Sequence, residues 1–184
     1  MILALVGLPG SGKSTVGRQL ARRLLLPFTD TDHWIEQRLG CSIRSYFERE
    51  GEERFRDFEE SAIDEITAGV QGVVATGGGS VLRPNNRQWL RQRTSVVYLR
   101  STPEEVFRRL RHDMNRPLLQ VADPLMRLRE LHAQRDPLYN ETAHCVIDIG
   151  RPSVSALVQT IITQLGLTPQ PSGTPAANAP SADT

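Results

Sequence analysis

The sequence contains little cysteine and little histidine. The two cysteines of its 184 residues, Cys41 and Cys145, lie far apart without a CxxC spacing, so no disulfide framework is predicted. The four histidines are scattered along the chain, and their spacing predicts no zinc site. We therefore do not expect cysteine or histidine chemistry to carry the function.

The chain also lacks a strong charge of one sign and a long hydrophobic run. Its formal net charge is +1, which provides no general attraction to nucleic acid or to a membrane surface. The N-terminus has no basic segment followed by a cleavage site, and its apolar run is far shorter than the ~20 residues that cross a bilayer. We expect a cytoplasmic protein that binds neither nucleic acid nor membrane.

The length and composition predict one globular domain. A chain of 184 residues with 39% hydrophobic content is close to the ~150 residues of a single core. From Thr168 onward the residues are Pro, Ala, Ser, Thr, Gly and Asn, with almost no apolar residue beyond alanine. Such a segment cannot bury enough surface to become ordered. We expect a domain over residues 1–167 and a disordered tail over residues 168–184.

Short apolar runs alternate with helical patterns along the chain. The runs that predict strands are Ile2–Val6, Pro27–Thr29, Val73–Ala75, Val96–Leu99 and Cys145–Ile147. The first, third and fourth are continuously apolar, as expected for parallel strands covered by helices on both faces. The predicted fold class is α/β, with the sheet in the middle layer of a three-layer sandwich.

A phosphate-binding loop, Gly7-Leu8-Pro9-Gly10-Ser11-Gly12-Lys13-Ser14, lies between the first strand and a helical pattern. Its glycines let backbone N–H groups converge on phosphate oxygens at a helix N-terminus. Lys13 supplies a positive charge for the β- and γ-phosphates, and the Ser14 hydroxyl can ligate Mg²⁺. A glycine-rich turn without a ligand is the alternative. The residues predicted to bind a nucleoside triphosphate are Gly10, Ser11, Gly12, Lys13, Ser14 and Thr15.

Two carboxylates, Asp30 and Asp32, follow the second predicted strand. The carboxyl ends of neighbouring parallel strands open into one crevice, so both are expected near the phosphates. Residues two apart on an extended segment share a side. One carboxylate can serve the Mg²⁺ shell, and the other can bind or deprotonate an acceptor hydroxyl. The alternative for Asp32 is a helix N-cap before His33, and both roles can coexist.

Three glycines, Gly77 to Gly79, follow the third strand, where many phosphate-loop proteins carry a metal-binding Asp. Consecutive glycines remove side chains and expose backbone amides, which favours close approach of an anionic ligand. The alternative is an ordinary turn, for which two glycines suffice.

Two arginines indicate an acidic substrate. Arg56 has Glu59 at i+3, a spacing that can orient its guanidinium, and Arg135 is expected at the end of a helix. The planar fork of donors on arginine matches a carboxylate. A solvated surface charge is the alternative for either residue.

The segment from about residue 111 to residue 120 interrupts a helical pattern with polar residues and a proline, which predicts a mobile lid. Phosphoryl transfer requires exclusion of water and neutralisation of spread negative charge, and Arg116 on a closing lid can do both. The alternative is a loop arginine without such a role.

Taken in order, these motifs resemble the shikimate kinase family, and the resemblance extends from Ile2 to about Leu165. It rests on the phosphate loop, Asp30-Thr31-Asp32, Phe55-Arg56, the three glycines, Arg116-Pro117-Leu118-Leu119 and Arg135-x-Pro137-Leu138-Tyr139. It implies a P-loop fold like that of nucleoside-monophosphate kinases, with a five-stranded parallel sheet. It also implies phosphorylation of the 3-hydroxyl of shikimate, with ATP and Mg²⁺, in aromatic amino acid biosynthesis.

The resemblance also implies roles for individual residues. The residues expected to bind shikimate are Asp32, Arg56, Gly78 and Arg135. Ser14 and Asp30 would serve the metal, Arg116 would belong to the lid, and Arg151, where the match is loose, would contact adenine. The expected catalytic residues are Lys13, Asp32 and Arg116. We expect a monomer.

Two other functions share part of this pattern. A gluconate kinase would have the loop and the lid but has no evident need for the glycine turn together with Arg56 and Arg135. A nucleotide-dependent switch protein would be expected to show a metal-binding Asp at a strand end and a base-specificity motif such as Asn-Lys-x-Asp. The third predicted strand ends without such an Asp, and the sequence contains no Asn-Lys-x-Asp motif.

Overall fold

A computed structural model describes residues 1–69, 71–111, 121–150 and 152–168. Most of the predicted lid, including Arg116, lies outside the described residues, as do Arg151 and the tail from residue 169 onward. None of the helices in the described ranges is long and apolar enough to span a bilayer.

The strands form one parallel sheet in the order β2-β3-β1-β4-β5. They are β1 (Ile2–Val6), β2 (Phe28–Asp30), β3 (Gly72–Ala75), β4 (Ser95–Arg100) and β5 (Cys145–Asp148). Leu3 pairs with Val73 on one side and with Ser95 on the other. The prediction of five strands is confirmed, with bounds that differ by one residue at most at each end.

Helices connect the strands and follow the last one. Within the described ranges they are α1 (Lys13–Leu24), α2 (Thr31–Leu39), α3 (Ile43–Glu50), α4 (Glu52–Gly69), α5 (Pro84–Arg93), α6 (Pro103–Leu110), α7 (Pro124–Thr142) and α8 (Val154–Gln164). Thr102 caps α6 in a capping box with Glu105, which leaves few N-terminal N–H groups unsatisfied. The Asp123 side chain caps α7 in a similar way.

The sheet is the middle layer between two sets of helices. Leu3 and Leu5 of β1 are buried in a cluster with residues of α1 and α8, whereas Ala4 and Val6 are buried in a cluster with residues of α4 to α7. Because side chains alternate between the two faces of a strand, β1 must be apolar throughout. The predicted three-layer sandwich is confirmed.

Helix α7 is longer than the sequence indicated. We expected Arg135 at a helix end, but α7 continues through Pro137 to Thr142, so that prediction is wrong. Proline lacks an N–H and usually ends a helix. Here the buried Tyr139 side chain packs beyond the proline and stacks against Tyr98 with ring centroids 4.9 Å apart. Tertiary packing therefore outweighs the loss of one helical hydrogen bond.

The topology places several loops at one edge of the sheet. β1 lies between β3 and β4, so the loops that follow β1, β2 and β3 share the carboxyl edge. Open α/β sheets bind ligands at such an edge. The phosphate loop, Asp30 and the glycine turn are thereby brought together.

Candidate active site

The phosphate loop ends at the N-terminus of α1. Gly12 caps the helix with φ of 88°, a left-handed conformation that favours glycine. The Lys13 ammonium donates to Gly7 O at 2.8 Å and to Leu8 O at 2.8 Å, and only 7% of the residue is exposed. Lys13 is also the one lysine in the sequence. Its charge and the positive end of α1 make the loop a site for anions.

A cavity of about 210 Å³ lies above this loop. Its wall includes Lys13, Ser14, Thr15, Asp30, Asp32 and Gly78. Gly10 and Gly12 also line it. Ser11 is buried within the loop, with its Oγ 3.5 Å from Lys13 Nζ. We call this space the phosphate cavity. Of the six residues predicted to bind a nucleoside triphosphate, all except Ser11 line it.

Asp30 links the loop to the second strand. It is the N-cap of α2, and its Oδ1 accepts from Asp32 N at 3.0 Å and from His33 N at 3.2 Å. Its Oδ2 accepts from Ser14 Oγ at 2.5 Å. Our alternative, in which Asp32 is the cap, is therefore wrong. A hydroxyl and a carboxylate side by side are hard oxygen ligands, and they suit Mg²⁺ completed by substrate phosphates.

Strand β2 ends at Asp30 and α2 begins at Thr31, so Asp32 lies in the first turn of the helix. The expectation that both carboxylates share one side of an extended segment is thus wrong, although both line the phosphate cavity. Burial, together with the negative charges of Asp30 and Glu59, raises the pKa of Asp32 to about 6, against a lowering effect of Lys13. A carboxylate with such a pKa is suited to accept a proton near neutral pH.

The glycine turn brings the two sides of the site into contact. A Cβ on Gly78 would lie 2.6 Å from the Pro9 ring, and one on Gly79 would clash with the Arg56 guanidinium. Only glycine allows the phosphate loop and Arg56 to approach the turn this closely. Tyr139 Oη donates to Gly78 O at 2.6 Å and ties the turn to α7.

The backbone amides of Gly77 and Gly78 differ in whether they already donate a hydrogen bond. Gly77 N donates to Thr31 Oγ1 at 3.0 Å, so that amide is already engaged. The N–H of Gly78 donates to no described residue. Of these two amides, Gly78 is the better candidate for a ligand contact.

A second cavity, of about 750 Å³, opens between α7 and the helices α2 to α4. Arg56 and Arg135 both line it, as predicted from the sequence, and we call it the acid cavity. Arg56 donates to the buried Glu59 carboxylate at 2.7 Å, and 9% of Arg135 is exposed. The Nε of each arginine is buried without an acceptor among the described residues. Because both residues line the cavity, their other guanidinium N–H groups can meet an anionic ligand there.

The two cavities adjoin. Pro9 and Asp32 lie in the wall of both. A phosphoryl group held over the phosphate loop and a hydroxyl of an acid held by the arginines would therefore meet beside the Asp32 carboxylate.

Arg109 of α6 lies beside the phosphate loop, a position that the sequence did not reveal. It donates to Ser11 O at 3.2 Å and to Ile149 O at 3.0 Å, and so links the phosphate loop to the segment after β5. With Glu105, Arg108 and Gly150 it lines a further cavity of about 380 Å³. No local pattern around Arg109 indicates this position, because its contacts come from distant parts of the chain.

The fold and these cavities define a P-loop kinase of the nucleoside-monophosphate-kinase-like type, with two adjoining cavities that share one carboxylate. Comparison with known proteins identifies the family. Residues 9–166 match the family described as shikimate kinase. The chain belongs to the shikimate kinase family.

Named relatives cover most of the chain. It is 64% identical to the shikimate kinase of Paracidovorax citrulli (strain AAC00-1) over 166 residues, which are 89% of this chain and 91% of that protein. A solved shikimate kinase from Acinetobacter baumannii, in complex with shikimate, has a TM-score of 0.85 and 44% identity, and covers 89% of this chain and 92% of its own. A gluconokinase from Sinorhizobium meliloti 1021 has a TM-score of 0.52 at 15% identity, covers 89% of this chain and 90% of its own, and shows the fold alone.

Proposed function

We propose that this protein transfers the γ-phosphoryl group of ATP to the 3-hydroxyl of shikimate and releases shikimate 3-phosphate and ADP. The observation that carries the proposal is the position of Asp32 in the wall of both cavities. Membership of the family, and the shikimate bound to the Acinetobacter baumannii relative, support the choice of acceptor.

On the acceptor side, Arg56 and Arg135 bind the carboxylate of shikimate. Both arginines line the acid cavity, and a carboxylate supplies two oxygens in one plane for the planar fork of donors on a guanidinium. Glu59, which is 2% exposed, fixes the Arg56 guanidinium before the ligand arrives. Holding the carboxylate at one end of the ring places a hydroxyl near Asp32 and Gly78, so much of the catalysis is positioning.

On the donor side, Lys13 and the loop N–H groups bind the β- and γ-phosphates. Lys13 now donates to two loop carbonyls, and it would exchange them for phosphate oxygens. Arg116 is assigned to the transferring phosphoryl group and Arg151 to the adenine side on sequence grounds alone. Arg109, beside the loop, joins them as a candidate nucleotide contact.

Mg²⁺ fits the donor set formed by Ser14 Oγ and the Asp30 carboxylate, whose oxygens are 2.5 Å apart. When bound there, the ion neutralises charge on the β- and γ-phosphates. Ser14 offers a hydroxyl ligand, and Asp30 orients it while capping α2.

Asp30→Asn tests the metal assignment. An asparagine caps a helix about as well as an aspartate, so the fold should remain. The loss of charge should raise the Mg²⁺ concentration needed for half-maximal rate, and excess Mg²⁺ should partly restore the rate. A Mg²⁺ titration at saturating ATP and shikimate measures this, and an unchanged Mg²⁺ requirement would contradict the assignment.

Asp32 accepts the proton of the acceptor hydroxyl, or at least orients that hydroxyl in line with the phosphoryl group. Its raised pKa keeps it basic enough to take a proton, and above pH 6 most of it is ionised. Because the transition state of phosphoryl transfer is loose, the reaction does not require a strong base.

Three broader assignments belong to the same proposal. The kinase domain is taken to span residues 1–167, the protein is taken to act as a monomer, and its location is taken to be the cytoplasm.

An ADP-release assay with separate acceptors tests the function. Shikimate should give rapid Mg²⁺- and ATP-dependent ADP release, with one phosphate on the 3-hydroxyl of the product by phosphorus NMR. Gluconate and nucleoside monophosphates should give rates near the ATPase background. A higher kcat/KM with gluconate or a nucleoside monophosphate would overturn the proposal.

A further inference from the structure

The acid cavity has two unlike walls. Among the described residues that line it, α7 contributes Arg127, Leu131 and Arg135 and no carboxylate. These residues are spaced four apart, so they form one stripe along the face of the helix. The stripe has a cationic group at each end and a leucine between them.

The opposite wall is rich in carboxylates. Helices α2 to α4 contribute the carboxylates of Asp32, Glu36, Glu48 and Glu52 to the lining, together with Arg44 and Arg56. Because that wall carries four carboxylates against two arginines, an anion meets the more favourable potential along α7.

The two arginines of α7 differ in depth. Arg135 is 9% exposed, whereas the Arg127 side chain is 49% exposed. Eight residues along a helix span about 12 Å, so Arg127 lies about two turns away, toward solvent. Arg127 pairs with Glu130 at 3.4 Å, and both side chains are largely exposed. Such an ion pair contributes little free energy, and the guanidinium can leave it easily.

We propose that Arg127 is a specificity-determining residue at the mouth of the acid cavity. It attracts the carboxylate of the acceptor and directs it along the α7 wall to Arg56 and Arg135. This inference rests on the proposed function, because it assumes an acidic acceptor in this cavity. Arg127 acts before the complex is formed, so it should affect capture of the acid and not the transfer step.

Arg127→Gln tests the role against a matched control on the same helix. Arg129 is 51% exposed and pairs with Glu104 at 3.0 Å, but it does not line the cavity. Both substitutions remove one positive charge from α7. At low ionic strength, Arg127→Gln should lower kcat/KM for shikimate by about three- to tenfold, with kcat and the KM for ATP unchanged. Arg129→Gln should change kcat/KM by less than about twofold.

Two further measurements separate attraction from a structural role. Arg127→Lys keeps the charge and should restore most of kcat/KM, because attraction over a distance does not need the arginine fork. Added salt should reduce the difference between Arg127→Gln and the wild type, since surface charges are screened within about 10 Å at 0.1 M.

The possible results distinguish this inference from the proposed function. Equal effects of Arg127→Gln and Arg129→Gln in an enzyme active on shikimate would overturn the inference alone. A fall in kcat, or an Arg127→Lys variant as poor as Arg127→Gln, would also overturn it. A wild-type enzyme that does not phosphorylate shikimate would refute the proposed function, and the inference with it.

Discussion

The phosphate cavity and the acid cavity are built in different ways. The phosphate cavity takes most of its wall from one continuous loop and the start of α1. We propose that its binding groups are largely backbone N–H groups with Lys13. The acid cavity takes its wall from side chains on α2, α3, α4 and α7. Local backbone forms the first, and the packing of distant helices forms the second.

This difference indicates how each cavity responds to substitution. Backbone donors cannot be removed one at a time, so the phosphate cavity is sensitive mainly at its one ammonium group. The acid cavity depends on individual side chains, so it should lose affinity in steps. Asp32 belongs to both cavities and should affect the transfer step more than the binding of either ligand.

The largest effect is expected for Lys13→Ala, which should impair phosphate binding in the phosphate cavity and leave the acid cavity intact. Transfer should fall below detection, beyond the ~10²–10³-fold loss typical of one neutral donor. The fold should remain, because the ammonium serves the loop and not the apolar core. An ADP-release assay and thermal unfolding measure these effects, with Arg22→Ala on the exposed face of α1 as the control. A folded Lys13→Ala protein with substantial activity would refute the nucleotide site.

Asp32→Asn should affect the junction of the two cavities. We expect transfer to fall by about 10²–10⁴-fold, because an amide binds a hydroxyl but is a poor proton acceptor. In the wild type, kcat/KM for shikimate should rise with pH through about 6, as Asp32 ionises, and then level off. The variant should lack this rise. A variant with the same pH profile as the wild type would exclude Asp32 as the base.

The same substitution should stabilise the fold. Because the pKa of Asp32 is raised from 3.8 to about 6, the folded state binds its proton more tightly than the unfolded state. Its ionisation therefore lowers the free energy of unfolding as pH rises from 3.8 to about 6. Above that range the loss is on the order of 3 kcal/mol. Denaturant unfolding at pH 8 should show Asp32→Asn to be more stable than the wild type, with little difference at low pH.

Gly78→Ala should disrupt the close contact between the glycine turn and the phosphate loop, where the two cavities adjoin. Its Cβ would lie 2.6 Å from the Pro9 ring, so the loop and the turn must separate. A displacement of about 1 Å can cost about 10²-fold in rate. Removing the ring in the Pro9→Ala/Gly78→Ala double variant should restore part of kcat/KM. If Gly78→Ala lowered kcat/KM by the same factor in the Pro9→Ala background as in the wild type, the contact between Pro9 and residue 78 would not be the cause of the loss.

Smaller, graded losses are expected in the acid cavity. Arg56→Lys or Arg135→Lys should raise the KM for shikimate by about ten- to a hundredfold, since lysine keeps the charge but loses the bidentate fork. The KM for ATP should change little. Arg54→Lys on α4, where the arginine is 72% exposed, is the control. A similar rise in both KM values would indicate that Arg56 and Arg135 only hold the fold.

The same contrast explains what the sequence could predict. The strands and the phosphate loop were predictable because their patterns are local: β1 is apolar on both faces, and the loop motif is continuous. The start of α2 was misplaced because Asp30-Thr31-Asp32 is polar and suits either a strand end or a helix start. The end of α7 was misplaced because Pro137 signals a terminus, which the packing of Tyr139 overrides.

The acid cavity was only partly predictable. Arg56 and Arg135 could be identified as candidate ligands of an acidic substrate, because both lie in recognisable motifs and the guanidinium group matches a carboxylate. The contact of Pro9 with Gly78, the position of Arg109 and the stripe that includes Arg127 arise from contacts between distant residues. No local pattern carries information about such contacts.

We propose that two separate cavities bind the two substrates and meet at Asp32. Calorimetric titration of ADP and shikimate, each alone, into the wild type, Lys13→Ala and Arg135→Lys tests this arrangement. Lys13→Ala should lose most of its ADP affinity and keep its shikimate affinity, and Arg135→Lys should show the reverse. If either substitution weakened both ligands equally, the two-cavity account would be contradicted.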